Sequence, residues 1–350
     1  MLIIKRFFSF ILAVLLLPSA FACGEDISDT LSARSAVLVW SGEIIYEKNA
    51  RQKLPMASTT KLMTALLTAE KGRMEEKVRI DAADCQVEGS SMELCAGETF
   101  SVKELLKGLL LVSGNDAALA LARYVGGSVE AFVKLMNEKA SELSMSSTHF
   151  TNPHGLSDEN HCSTAADLAL LMRACLENEE LRSIMAMKSC VVGGRTLINH
   201  NRLLYKCEGC TGGKTGYTEA AGRCLVSVCQ RGGAELICVT LNAPDDWNDH
   251  KKLYDKAFEE YSLRNVTNGL RFSVPTAGGA EEYAYLVPQT EKELFCRKRS
   301  EVKVTAELPW FLFAPMEKGE IAGKAVITVD GEIIGEYPLM CRDTVSSDNS

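Results

Sequence analysis

The sequence predicts an α+β protein in which a domain of mixed helices and strands precedes a small all-β domain. A strand hairpin at 36–47 and further strands at 224–241 enclose a long stretch of amphipathic helices. After Tyr261 the helical periodicity stops and short strand-like runs recur. We therefore expect a domain boundary near residue 265, with domains at 23–264 and 265–342 and a polar tail at 343–350.

The individual elements follow from the spacing of apolar residues. In the first domain, this spacing predicts helices at 58–71, 102–111, 116–124, 129–143, 165–175 and 249–261. Runs of β-branched and aromatic residues predict strands at 36–40, 43–47, 78–84, 214–218, 224–230 and 236–241. In the second domain we expect strands at 271–274, 283–287 and 302–306, and a hairpin of 325–329 with 332–337 around Asp330-Gly331.

Composition and charge exclude some classes of function. The chain has 350 residues, of which 46% are hydrophobic and 24% charged, as in ordinary globular proteins. Its formal net charge is -8, and it has no dense cluster of lysine and arginine. A nucleic-acid-binding protein would carry a basic face. We therefore expect no nucleic-acid partner.

The N-terminus has the pattern of a secretory signal peptide at residues 1–22. Lys5 and Arg6 precede an apolar run at 7–17, and small residues precede a cut after Ala22. The run is too short for a spanning helix, and no other apolar stretch could cross a bilayer. We expect export across the cytoplasmic membrane. An uncleaved anchor and a lipoprotein attached at Cys23 remain alternatives.

The cysteines have several open interpretations. There are thirteen, an odd number that is high for an exported protein. Cys85 and Cys95 flank a polar loop and could be bridged. Cys207-Glu208-Gly209-Cys210 is a C-x-x-C pattern that fits a redox switch or half a metal site, although no second pair completes a zinc site. The remaining interpretation is small buried hydrophobes in strands, as expected for Cys224, Cys229 and Cys238.

The first chemical motif is Ser58-Thr59-Thr60-Lys61, at the start of a predicted helix. Residues three apart share a helix face, so Ser58 and Lys61 point the same way. A serine hydroxyl needs a base to become a nucleophile, and a lysine whose pKa is lowered by burial or a nearby cation can serve. The alternative is an N-cap serine beside a solvated lysine. Apolar flanks at 56–57 and 62–63 favour a buried, catalytic turn.

Two further motifs complete a set of groups for acyl transfer. Ser113-Gly114-Asn115 interrupts an apolar helical region and offers a hydroxyl for proton transfer and an amide for a substrate peptide. Lys214-Thr215-Gly216 lies on a predicted strand, where the ammonium can bind a carboxylate and the glycine leaves room for a ligand backbone. An inter-helix loop and an edge-strand lysine are the structural alternatives. The order of the three motifs favours the catalytic interpretation.

The three motifs resemble the S-x-x-K, S-D-N and K-T-G signature of penicillin-binding proteins and class A β-lactamases. Gly114 in place of Asp resembles the low-molecular-weight penicillin-binding proteins, the serine-type D-alanyl-D-alanine carboxypeptidases. The stretches at 55–64, 150–156, 214–218 and 242–244 are also similar to that family. The resemblance covers about residues 30–262, and it implies a β-lactamase/transpeptidase-like domain, with an antiparallel sheet flanked by helices, before the all-β domain.

The resemblance also implies roles. Ser58 would attack the carbonyl of the penultimate D-alanine of peptidoglycan pentapeptide stems, Lys61 would take its proton, and Ser113 would relay a proton to the departing D-alanine. Asn115 would hold the peptide amide, while Lys214 and Thr215 would bind the terminal carboxylate. Gly216 would line the strand that binds substrate, and the backbone N–H groups of Ser58 and Tyr217 would form the oxyanion hole. β-Lactams would acylate Ser58, and no metal or organic cofactor is needed.

The chain departs from the family in two places, and other functions stay open. The residues after 341 cannot form the amphipathic membrane helix that ends many members, so membrane association is uncertain. The segment 245–250 lacks an arginine that some relatives place near the substrate carboxylate. A class A β-lactamase is disfavoured because no Glu-x-x-Leu-Asn lies between Asn152 and Cys190. The alternatives are a D,D-endopeptidase and a non-catalytic β-lactam- or wall-binding protein.

Overall fold

A five-stranded antiparallel sheet is the centre of the first domain in the computed structural model, which describes residues 30–348. The expected signal peptide and Cys23 therefore lie outside the described residues. The strand order is β2–β1–β9–β8–β7. One edge strand, β2, precedes the Ser58 motif in the chain, and the other, β7, carries the Lys214 motif. The strands are β1 Ser35–Trp40, β2 Glu43–Lys48, β7 Cys210–Thr218, β8 Gly222–Arg231 and β9 Ala234–Leu241.

Helices cover this sheet and enclose a second layer of core. α1 is central because every residue of its first two turns is buried, and it packs against α2, α3, α4, α5 and α6. α5 and α8 pack on the sheet. The helices are α1 Lys61–Lys71, α2 Val102–Leu111, α3 Asn115–Gly126, α4 Val129–Glu142, α5 Ala165–Leu176, α6 Glu179–Ala186, α7 Leu203–Lys206 and α8 Asp246–Glu260.

The two faces of the sheet are chemically different. Val226 and Val239 point into the large apolar core shared with α1 and α5. Because side chains alternate along a strand, the neighbouring Ser227 and Thr240 face α8 instead. There the Ser227 Oγ lies 2.7 Å from Nδ1 of His250, and the Thr240 Oγ1 lies 3.0 Å from Nε2. This buried polar contact fixes α8 against the sheet.

Two small antiparallel sheets of two strands each lie outside the central sheet of the first domain. β3 Lys77–Arg79 pairs with β4 Thr99–Ser101, where Ser101 and Glu104 form a capping box that starts α2. β5 Ser189–Val192 pairs with β6 Arg195–Ile198. The strand expected at 78–84 is therefore shorter, and α6 and the β5–β6 hairpin lie where the sequence predicted no element. β4 and α7 were not predicted either, while α8 begins at Asp246 instead of 249 and β7 at Cys210 instead of 214. The remaining helices and strands of the first domain match the expected positions closely.

The C-terminal region is all-β, as the loss of helical periodicity predicts. A six-stranded sheet has the order β14–β16–β17–β12–β11–β15, and β10 pairs with β13. Phe295 of β13 packs against Trp40 and Phe258 of the first domain, with ring centroids 5.9 and 6.0 Å apart. The strands are β10 Tyr261–Asn265, β11 Phe272–Ala277, β12 Tyr283–Pro288, β13 Glu293–Arg297, β14 Val302–Glu307, β15 Leu312–Phe313, β16 Ile321–Val329 and β17 Glu332–Cys341.

The ends of this β-region differ from the sequence expectation. β10 starts at Tyr261, a few residues before the expected boundary near 265, because it continues directly from α8 and pairs with β13. Val345 is buried and bridges to Met316, so the expected polar tail at 343–350 contributes to the core of the β-region at that residue. A single apolar side chain in a polar run gave no pattern from which this contact could be predicted.

The structure also bears on the cysteines and on membrane helices. All twelve cysteines among the described residues are free thiols, including Cys85 and Cys95, for which a bridge was an open alternative. Along residues 30–348, no helix has both the length and the apolar character that a membrane crossing requires.

The buried His250 should make the stability of the fold depend on pH. Burial lowers the pKa of His250 to about 3, below its ordinary value of 6.5, because the charged ring loses its hydration. Between these values the unfolded chain binds a proton that the folded chain does not, so stability is present above pH 6.5 and is lost as pH falls towards 3. The contribution of one such group is about 1.4 kcal/mol per pH unit.

We expect His250→Asn to reduce the slope of the unfolding free energy against pH in that window, measured by urea unfolding. The exposed His149 supplies a matched control, since His149→Asn should keep the wild-type slope. Equal slopes for wild type and His250→Asn would contradict the assignment.

Candidate active site

The Ser58 motif forms a tight turn at the entrance to the central helix. Ser58 lies in a 3-10 helix, Ala57–Thr60, which leads directly into α1 at Lys61. Ala57 has a positive φ of 47°, a conformation that is uncommon outside glycine and often marks functional turns. The Lys61 Nζ lies 2.9 Å from the Ser58 Oγ, so the two side chains share a face as the spacing predicts.

Lys61 is fully buried and has two further partners that come from distant segments. Its Nζ donates to the Asn115 Oδ1 at 2.6 Å and to the backbone oxygen of His154 at 2.7 Å. The pKa of Lys61 is lowered well below its ordinary value of 10.5. Burial is the main cause and the nearby Lys214 ammonium adds to it, while Asp116 opposes both. The uncharged form of the Lys61 amine is therefore populated at a lower pH than that of a surface lysine.

These contacts decide how a neutral Lys61 would be oriented. A neutral amine has two N–H donors and one lone pair. The Asn115 Oδ1 and the His154 carbonyl can only accept, so they take both hydrogens. The lone pair then faces the remaining partner, the Ser58 hydroxyl. The site holds a base in line with the proton that it would remove.

Ser113 occupies the break between α2 and α3 and contacts the second lysine. It has a positive φ of 63°, and the Lys214 Nζ donates to its Oγ at 2.9 Å. Lys214 also donates to the carbonyl oxygen of Thr215 at 2.7 Å. Burial lowers the pKa of Lys214 to about 7, because its ammonium is almost entirely removed from water. The three expected motifs thus meet at one place.

The strand that carries Lys214 lies directly against the Ser58 turn. A Cβ added to Gly216 would lie 3.0 Å from the Ser58 nitrogen and 3.1 Å from the Ala57 Cβ. Any side chain at this position would push the Ser58 turn away, so glycine suits this close approach. β7 is also an edge strand of the sheet, and the Tyr217 side chain is 66% exposed. An extended ligand could therefore lie along β7 beside Ser58.

Asn115 and Asp116 connect the site to the loop that precedes β4. The Asn115 Nδ2 donates to the backbone oxygen of Glu88 at 2.6 Å, which fixes the orientation of the amide. Nδ2 has two hydrogens, so this bond leaves capacity for a substrate amide. The buried Asp116 carboxylate accepts from the backbone N–H groups of Met92 at 2.9 Å and Leu94 at 3.0 Å. These contacts hold residues 88–94 next to the site.

Sequence reasoning missed two of these contributors. Asp116 was not singled out, although a carboxylate in an apolar helical segment is a signal that could have found it. The His154 contribution comes from its backbone oxygen, which no side-chain pattern reveals. Its neighbour Gly155 has a φ of 91°, and a Cβ there would lie 2.0 Å from the Ala57 oxygen. The Pro-His-Gly turn therefore packs directly on the Ser58 turn.

The described structure resembles solved penicillin-binding proteins over both regions. It superimposes on penicillin-binding protein 5 from Haemophilus influenzae with a TM-score of 0.76 and 29% identity, covering 91% of this chain and 98% of that one. For penicillin-binding protein 6B from Escherichia coli the TM-score is 0.75 and the identity 26%, covering 92% and 98%. The fold class is that of the low-molecular-weight penicillin-binding proteins, which confirms the sequence expectation.

Sequence comparison defines the family. A family model described as D-alanyl-D-alanine carboxypeptidase matches residues 22–245, and one described as penicillin-binding protein 5, C-terminal domain, matches residues 272–347. The carboxypeptidase DacF of Bacillus subtilis (strain 168) is 34% identical over 97% of this chain and 94% of its own length. DacC of Escherichia coli (strain K12) is 33% identical over 94% and 88%. The chain belongs to the D-alanyl-D-alanine carboxypeptidase family and is a hydrolase.

Proposed function

We propose that this protein is a serine-type D-alanyl-D-alanine carboxypeptidase, which removes the terminal D-alanine from peptidoglycan stem peptides through an acyl-enzyme on Ser58. The observation that carries the proposal is the 2.9 Å contact between the Ser58 Oγ and the Nζ of the fully buried Lys61. A hydroxyl in line with a desolvated amine is the arrangement that an activated serine needs. The names of the relatives supply the class of substrate.

Acylation begins with proton transfer from Ser58 to Lys61. The Ser58 Oγ attacks the carbonyl carbon of the penultimate D-alanine as Lys61 takes the hydroxyl proton. The new oxyanion is bound by the backbone N–H groups of Ser58 and Tyr217. The close approach at Gly216 supports this role, because it places the β7 backbone against the Ser58 nitrogen.

The leaving group and the carboxylate lie on the Lys214 side of the site. The terminal carboxylate binds Lys214 and Thr215, and its negative charge raises the pKa of Lys214 above the value of about 7 in the free site. Ser113 already accepts a hydrogen bond from Lys214, so it can pass its own hydroxyl proton to the departing amine while the Lys214 ammonium gives a proton back to its oxygen. Asn115 holds the substrate amide.

Deacylation completes the reaction with water. Water attacks the Ser58 ester, and the trimmed stem peptide leaves the site. A β-lactam that resembles the dipeptide terminus would acylate Ser58 in the same way and remain attached.

We place this chemistry in a catalytic domain at 23–264 and assign the β-region from 265 to a separate domain. We also propose export directed by residues 1–22, with a lipoprotein at Cys23 as the alternative.

Substitution of Ser58 tests the nucleophile. We expect Ser58→Ala to abolish both D-alanine release from a diacetylated Lys-D-Ala-D-Ala peptide and labelling by a fluorescent penicillin, with the fold retained by circular dichroism. Lys61→Arg should also be inactive, since an arginine cannot become a neutral base. Ser183→Ala, at an exposed position on α6, is the matched control and should keep wild-type activity.

Other outcomes of that experiment would reject the proposal. Persistent penicillin labelling of Ser58→Ala would place the nucleophile elsewhere. Labelling of the wild type without D-alanine release would favour a non-catalytic binding protein. Cleavage of a crosslinked peptide dimer in preference to the free stem would favour a D,D-endopeptidase.

The pH dependence of acylation tests the role of Lys61. Because only neutral Lys61 can accept the proton, the second-order rate constant for penicillin acylation should rise with pH, with a midpoint below the ordinary value of 10.5. Lys214→Gln removes a cation that lowers this pKa, so the midpoint should move upward even as the rate falls. Lys71→Gln, at the exposed end of α1, should leave the midpoint unchanged. A midpoint insensitive to Lys214→Gln would contradict this electrostatic coupling.

A further inference from the structure

Two cysteines and an arginine donate hydrogen bonds to one backbone oxygen in the loop that precedes β7. The carbonyl oxygen of Glu208 accepts from the Arg231 Nε at 2.8 Å, from the Cys229 Sγ at 3.3 Å and from the Cys207 Sγ at 3.7 Å. The Cys207 and Cys229 thiols are also hydrogen bonded to each other, so the two sulfur atoms are neighbours. None of these groups belongs to the proposed catalytic machinery.

Arg231 provides the charge that a reactive thiol needs. Its Nη2 lies 3.4 Å from the Cys207 Sγ, and its Nη1 lies 2.8 Å from the Oδ1 of Asp255, which fixes the guanidinium in place. The pKa of Cys207 is lowered to about 7 by a hydrogen bond from Cys229 and by Arg231, against the opposing effects of burial and Asp255. By contrast, burial raises the pKa of Cys210 to about 11. The contact with Arg231 therefore favours the thiolate at Cys207 over the other thiols of this cluster.

The loop geometry brings the second thiol close to Cys207. Cys207 is the C-cap residue that follows α7, and the chain turns through Gly209, whose φ is 78°. A Cβ at Gly209 would lie 3.3 Å from the Cys229 Sγ, so the missing side chain lets the loop close over that sulfur. Cys210 faces Cys229 across the β7–β8 pair. In residues 30–348, no three His, Cys, Asp or Glu side chains are placed to hold a metal ion.

We propose that Cys207 and Cys229 form an oxidative modification site, in which the Arg231-stabilised Cys207 thiolate reacts with a hydroperoxide and is then captured by Cys229 as a disulfide. In the first step an S–O bond forms and the O–O bond breaks, which gives a Cys207 sulfenic acid and, with hydrogen peroxide, hydroxide. The hydroxide becomes water by taking up the proton that the Cys207 thiol released when it ionised. In the second step the Cys229 sulfur attacks the Cys207 sulfur and displaces hydroxide, which leaves as water with the Cys229 proton. Two thiols are oxidised and one peroxide is reduced.

Peroxide treatment of the reduced protein tests the site, with the exposed Cys95 as an internal comparison. We expect limiting hydrogen peroxide to remove two hydrogen atoms from the intact mass and to give a Cys207–Cys229 crosslinked peptide under non-reducing digestion. Cys229→Ser should instead accumulate a dimedone-reactive sulfenic acid at Cys207. Cys210→Ser is the matched control and should form the same crosslink as wild type. Oxidation of Cys95 before Cys207, or a Cys207–Cys210 crosslink in wild type, would overturn the proposal.

A second pair of variants tests the part played by the arginine. Arg231→Gln should slow sulfenic acid formation on the order of tenfold at neutral pH, because the fraction of thiolate falls. Asp255→Asn removes the ion pair but keeps the guanidinium, so it should be at least as fast as wild type. Equal rates in Arg231→Gln and wild type would overturn the role of Arg231. The same measurements on Ser58→Ala separate this proposal from the proposed function, since they need no turnover.

Discussion

The dry position of the Lys61 amine is the constraint on which the rest of the site depends. Burial of a lysine is costly unless it loses its charge or finds partners, and here it has three oxygen partners, one on its own turn and two from distant segments. The Ser58 turn, the start of α3 and the turn at His154 must all be in place to supply them. The surrounding helices exclude water from the amine and so keep its pKa low.

The two buried lysines of the site, Lys61 and Lys214, have different electrostatic roles. Lys214 lowers the pKa of Lys61, so protonating one amine disfavours protonating the other. A bound carboxylate would favour the charged form of Lys214, its direct partner in the proposed complex. That charge in turn helps to keep Lys61 neutral. In the proposed mechanism, substrate binding therefore favours a charged Lys214 and leaves Lys61 neutral, so that Lys61 can act as the base.

Sequence reasoning predicted which side chains lie together better than it predicted the segments that hold them. Ser58 and Lys61 were expected on one helix face, and the structure brings their side chains together although Ser58 lies in a 3-10 turn. The meeting of Lys214 with Ser113 depends on packing between residues far apart in sequence, so only the motif resemblance could suggest it. The His154 carbonyl and buried Val345 had no such pattern, because a backbone oxygen or a lone valine becomes informative only when its neighbours are known.

The same burial that lowers the pKa of the lysines has the opposite sign for the cysteines. Cys175 and Cys238 are fully buried, and the pKa of each is raised because a thiolate loses its hydration there. Cys207 is also largely buried, but the Arg231 cation and a neighbouring thiol donor outweigh that effect. The expectation that cysteines in apolar strands act as small hydrophobes therefore suits Cys238. Cys229 is just as buried, yet beside Cys207 it is also in position to capture an oxidised sulfur.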